Sequence, residues 1–168
     1  MTSVIPRFSS KTKLTLLYRL GKDDAWNLQK LQDSVHNKGA TVVLVKSGVG
    51  WVAGGYTSVP WQKQDKALRD DEAVLFSVTN YKKYPVVDKD YAVHHFVSYG
   101  INFGQGGGWN LGFGSGGDNR YAHSSFEGSG NGAYKIYNLG NLNGKSPLTG
   151  EGRYNFNLIE AEVFLVEH

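Results

Sequence analysis

Residues 41–61, TVVLVKSGVGWVAGGYTSVPW, leave a chain few ways to fold. Thr41 to Val45 is β-branched and apolar, the length of a strand. Ser47, Gly48, Val49 and Gly50 form a turn with two glycines, and Trp51 to Tyr56 runs back. Two apolar runs joined by a short glycine-containing loop predict a β-hairpin. The first run has no polar interruption, as expected of a strand covered on both faces. Gly54 and Gly55 sit side by side in the second arm. Adjacent glycines inside a strand mark a bulge or a close approach by another part of the chain. Val59, Pro60 and Trp61 end the arm, because proline cannot donate to a ladder.

The rest of the chain extends this pattern. Lys13 to Arg19 alternates, with Leu14, Leu16 and Tyr18 on one side, and predicts a first strand. Leu28, Leu31 and Val35 then share one helical face, with Asp23, Asp24 or Asn27 as N-cap and Gly39 as a left-handed C-terminal cap. Residues 61–71 are polar and read as a loop with one helical turn. Glu72 to Asn80 and Tyr91 to Tyr99 read as strands, bridged by Tyr84 to Val87. Residues 100–117 are dense in glycine but keep Phe103, Trp109, Leu111 and Phe113, which argues for ordered backbone. Residues 124–132 are the segment expected to be most flexible. Tyr134 to Leu139 reads as a short strand, and Phe156 to Val166 closes the chain, with Glu160 and Glu162 on one face. Seven or eight strands and one clear helix predict a mostly β protein: two packed antiparallel sheets, a β-sandwich, flanked by short helices.

At 168 residues the chain is expected to form one domain over 11–166. Residues 1–10 are expected to be loose, and 167–168 to derive from an expression vector, the natural protein being longer. The 22 glycines and 10 tyrosines favour short strands and tight turns over helices. No cysteine is present, which excludes disulfides, zinc thiolates and thiol redox chemistry. The net charge of +3 is scattered and forms no basic stripe, so nucleic acid is not an expected partner. No apolar run reaches the length of a membrane span, and membrane insertion is not expected.

Motifs that promise chemistry are thin. Gly112, Gly114 and Gly117 match G-x-G-x-x-G, but no amphipathic helix follows, so a dinucleotide site is not supported. Residues 140–146 resemble a phosphate loop one residue short, and loop follows them. His94 and His95 are neighbours on an expected strand and point to opposite faces, so they cannot share one metal unaided. His36 and His123 stand at no metal-ligand spacing from them. Asp90, His94 and Ser98 fall on one strand face, but residues four apart on a strand lie about 13 Å apart, too far for a triad. Glu160 and Glu162, about 7 Å apart, suit paired-carboxylate work, though solvated or partner-facing carboxylates are commoner. Trp51, Trp61 and Trp109 could stack on sugars or fill a core.

The order of these segments carries a resemblance. His36 to Gly39, Thr41 to Lys46, then Gly54, Gly55, Tyr56 and Trp61 resemble the TLDc (TBC/LysM-associated) domain family. Ala73 to Asn80 is similar to its AFLFSLTN segment. Ser98, Tyr99, Gly100, Phe103 and Gly104 are similar to its SYGPTFGGG segment, with Asn110 and Leu111 in place of its Asp-Leu. Ile159 to Phe164 is similar to its terminal EIEVF strand. The likeness runs from Leu14 to Val166. The family's helix usually carries Phe-His and a cysteine; here Leu31, Gln32 and Val35 stand instead, which undercuts activity through those groups.

The resemblance implies a two-sheet sandwich and a role in oxidation resistance under oxidative stress. It also implies binding to the vacuolar-type proton-pumping ATPase (V-ATPase) and regulation of its assembly. No catalytic residue or cofactor carries over. The expectation is a non-catalytic protein–protein interaction module, cytoplasmic and monomeric. The alternatives are an antioxidant or hydrolytic enzyme using His94 or His95 with carboxylates, or a glycan-binding sandwich.

Overall fold

In a computed structural model, the structure describes residues 8–95, 97–104, 110–115, 121–124, 133–134, 136, 143–152 and 154–167. The expected N-terminal loose segment lies outside them up to residue 7. So do Trp109 and all of 125–132 and 137–142.

The predicted hairpin is present. β2 (Thr41–Ser47) and β3 (Val52–Thr57) pair antiparallel. β1 (Lys13–Leu20), β5 (Val74–Ser77) and β6 (Lys82–Pro85) extend this sheet. Its order is β1-β11-β2-β3-β5-β6, where β11 is Asn155–Glu167. The second sheet runs β4-β7-β8-β9-β10-β11, from β4 (Ala67–Leu68), β7 (Val93–His95), β8 (Ile101–Phe103), β9 (Leu111–Ser115) and β10 (Tyr121–His123). β11 belongs to both sheets. Residues 155–157 pair with β10, 158–165 with β2 and 161–167 with β1. Every pairing between named strands is antiparallel.

Alternation along the strands sends one side chain of each pair inward. Val43, Val45, Ala53, Leu75 and Val163 from the first sheet join Val93, Ile101, Phe103 and Phe113 from the second in one buried cluster. Each such aliphatic side chain contributes about 1.5–3 kcal/mol by leaving water. The outer face of the first sheet carries a second cluster of Val42, Tyr56, Val74, Phe76 and Val166, with Phe8, Ala40 and Leu44 packed against it. The Phe8 ring meets Tyr56 edge-on at 6.2 Å. The unbroken apolar run of β2 thus supplies both faces.

Helix α1 (Leu28–Val35) is the predicted one. Asn27 is its cap, its side chain accepting the Lys30 N–H at 2.8 Å. Leu31 and Val35 bury its apolar face. The first left-handed residue after the helix is Asn37, with φ 54°, and Gly39 is the second, with φ 103°. Asn tolerates that conformation because its short polar side chain bonds locally.

Several boundaries differ from expectation. Residues 61–71 hold no helical turn; they hold β4 and a buried Asp70. Lys82–Pro85 is a strand, not a bridge, and Pro85 is tolerated because β6 is an edge. Tyr91 to Tyr99 is not one strand. Lys89–Tyr91 is a 3₁₀ turn, β7 has three residues, and 97–99 bend away. Gln32, buried on α1, causes part of this: its Nε2 donates to Val97 O at 2.9 Å and Tyr99 O at 3.0 Å. Those carbonyls are taken by a side chain instead of a ladder. Gly112 to Ser115 lies within an antiparallel strand, which disposes of the dinucleotide reading. Of the expected strand from Tyr134 to Leu139, residues 135 and 137–139 lie outside the described residues, and Tyr134 makes a bridge to Val86.

Candidate interaction surface

The outer face of the first sheet combines charge, apolar surface and exposure. Register places Glu160 opposite Lys46, and Glu162 between Leu44 on β2 and Arg19 on β1. Lys46 Nζ lies 3.3 Å from Glu160 Oε1, and Arg19 Nε 3.4 Å from Glu162 Oε1. All four side chains are partly exposed, so each pair contributes about 0–1 kcal/mol. Leu44, Lys46, Val52, Glu160 and Glu162 line an open groove of about 280 Å³. Beyond it, Leu14 and Leu16 stand 45% and 49% exposed on β1, opposite Val166 and Phe164. The face offers carboxylates that can change partners beside an apolar strip.

The other motif residues build scaffold. Register is continuous through Gly54 and Gly55, so the pair is no bulge. A Cβ on Gly55 would meet the Phe103 ring at 2.5 Å; one on Gly54 would run into Val43 O and the Phe76 ring. Gly55 lets Phe103 of the second sheet seat against the first, and Gly54 leaves room for Phe76 on the outer face. Phe103 lies edge-on to Trp61 at 5.5 Å and to Tyr134 at 6.4 Å. Trp61 is wholly buried and its Nε1 donates to Thr41 Oγ1 at 2.8 Å. Tyr56 is buried beneath Phe8 on the outer face. A Cβ on Gly100 would strike Phe113 O, and Gly104, at φ 85°, lies against the Asn110 side chain. Ser98 is exposed and Tyr99 half-buried on the bend that Gln32 holds. The predicted site residues therefore split: Glu160, Glu162 and Ser98 face solvent, and the glycines, Tyr56, Trp61 and Phe103 do not.

The histidine pair is buried. His94 and His95 are 1% and 0% exposed on β7. Asp90, His94 and Ser98 sit on a 3₁₀ turn, a strand and a bend, so the even spacing on one strand face is lost. His95 packs edge-on against Trp61 at 6.0 Å, and its ring nitrogens meet no hydrogen-bond partner among the described residues. Burial, then the charges of His36, Lys63 and His94, pushes its pKa down to about 4. It is a neutral core imidazole. No three His, Asp or Glu side chains among the described residues group as metal ligands. Of the candidate sugar platforms, Trp61 is inside the core and the Trp51 ring covers Gly150.

Sequence reasoning missed Asp70. Its carboxylate is buried and accepts from Thr57 Oγ1 at 2.7 Å, Ser58 N at 2.8 Å, Ser58 Oγ at 2.7 Å and Glu72 N at 2.9 Å. This closes the 58–72 excursion onto the end of β3. Nothing in the run Arg69-Asp70-Asp71-Glu72 distinguishes it from its exposed neighbours.

Two antiparallel sheets packed together, with a single short α-helix among the described residues, define a β-sandwich domain. The chain belongs to the TLDc domain family, whose model matches residues 1–167. No curated protein matches the chain. Among the described residues, no helix is long and apolar enough to cross a membrane.

Proposed function

We propose that the domain is a non-catalytic docking module in oxidative-stress protection, acting in the cytoplasm by binding peripheral subunits of the V-ATPase and regulating its assembly. The observation that carries the reading is the outer face of the first sheet. Glu160 and Glu162 are accessible there, paired with the partly exposed Lys46 and Arg19. A basic partner surface can take over such carboxylates at low cost and so fix the register of docking. Leu14 and Leu16 supply apolar contact beside them. The burial of His95 and Trp61 gives the enzymatic and sugar-binding readings no accessible group at those positions.

The test is co-purification of the domain with the pump's peripheral subunits. The Glu160→Lys/Glu162→Lys variant is expected to lose affinity by about tenfold or more, with thermal stability little changed. Failure of the wild-type domain to bind, or binding untouched by both substitutions, would refute the assignment of this face.

A further inference from the structure

Two hairpin turns meet at one end of the first sheet. The β2–β3 turn carries Val49, 56% exposed; the β5–β6 turn carries Val78 and Tyr81, 46% and 87% exposed. They are adjacent because β3 serves both. Val52 O accepts from Val78 N at 2.9 Å and Thr79 N at 3.3 Å, and Val52 N donates to Thr79 Oγ1 at 2.9 Å. The loop at 143–147 stands alongside, held where Asn80 Nδ2 donates to Pro147 O at 3.0 Å. It brings exposed Lys145, and β6 begins with exposed Lys82 and Lys83. Among the described residues none of these three lysines has an ion-pair partner. Two carboxylates stand near this end: Glu160, paired with Lys46, and Glu151, one of whose oxygens accepts the Asn157 N–H at 3.0 Å.

Tyr81 is the informative residue. Its φ of 53° lies in the left-handed region, which costs free energy for a bulky side chain. With its ring so far exposed, packing within the protein does little to offset that cost. Asn or Gly would hold the same turn with less strain. Such strain persists where the side chain has a use.

We propose that this end of the molecule docks peripherally on an anionic lipid bilayer. Tyr81, Val78 and Val49 enter the interfacial layer, where an aromatic ring with a polar tip is well placed. Lys82, Lys83 and Lys145 lie behind them and meet the negative headgroups. An acidic protein is the competing occupant. A stable protein interface takes about 20–30 residues a side, and two turns with one loop supply far fewer. A continuous lipid surface needs no such area, since each basic residue and each inserted apolar group adds separately.

The test is sedimentation of the full chain with vesicles of phosphatidylcholine, with and without phosphatidylserine, at low salt. Binding is expected only with phosphatidylserine. Lys82→Glu/Lys83→Glu should weaken it by about tenfold or more. Tyr81→Asn should weaken it about severalfold while leaving Tm equal or higher, because the turn strain is relieved. Absence of binding to the serine vesicles overturns the proposal, as does binding that neither variant alters. Capture by polyglutamate without capture by vesicles would overturn it too, in favour of an acidic protein.

Discussion

At the scale of single residues, Gly55 and His95 make opposite demands on the same core. Gly55 must be absent as a side chain. Gly55→Ala would drive a methyl into the Phe103 ring, which is itself fixed by Trp61 and Tyr134. Overpacking of this kind costs roughly 1–3 kcal/mol, to be read from the urea midpoint at unchanged m-value. His95 must be neutral. Its folded pKa of about 4 lies below the ordinary 6.5, so the native state resists protonation. Its contribution is complete above pH 6.5 and is lost as pH falls toward 4. The loss amounts to about 3 kcal/mol over that window. His95→Leu should flatten this acid limb in denaturation curves run from neutral to acid pH. An unchanged limb would show that another group titrates. The glycine pair was legible as a special position because its composition is rare in strands. The state of His95 was not, because burial of one histidine in a doublet depends on which strands cover it.

At the scale of elements, α1 shows what spacing can and cannot tell. Its apolar stripe and the cap at Asn27 were readable, since both are local. Asn27→Ala should cost about 1 kcal/mol in thermal or urea unfolding. Its tie to the 97–99 bend was not readable, because Gln32 looks like a solvent residue until the second sheet closes over it. Gln32→Ala should leave α1 folded but speed amide exchange across 97–99, whose carbonyl partners it removes. The same logic explains the shortened β7 and the unexpected β6. Tyr91 to Tyr99 has strand composition throughout, yet a side chain and a 3₁₀ turn take backbone groups at its ends. Lys82–Pro85 looks too polar for a strand because it is an edge with exposed faces.

At the scale of the whole molecule, the antiparallel sandwich followed from many short β-prone runs, and the family from their order. Strand order did not follow, because the pairing of β11 with β1, β2 and β10 spans most of the chain. The exposed charges of the outer sheet face were legible as residues, Glu160 and Glu162. The groove they line was not, since it needs Leu44, Lys46 and Val52 brought alongside from two other strands. Because both sheets depend on β11, global unfolding is expected as one transition. Val163→Pro, at a position of β11 paired with Tyr18 on one side and Val43 on the other, should abolish the folded state, where a protein of independent sheets would keep one. Circular dichroism through a thermal ramp distinguishes the two.

That shared strand also has a consequence for synthesis. Lys13 waits for Glu167, and Thr41 for Leu165, before either finds its neighbour. A ribosome delivers the other strands of the sandwich first, with the gap between β1 and β2 still open and its apolar walls bare. Folding must then await the final stretch, and nascent chains stalled before residue 155 should be the form that chaperones hold.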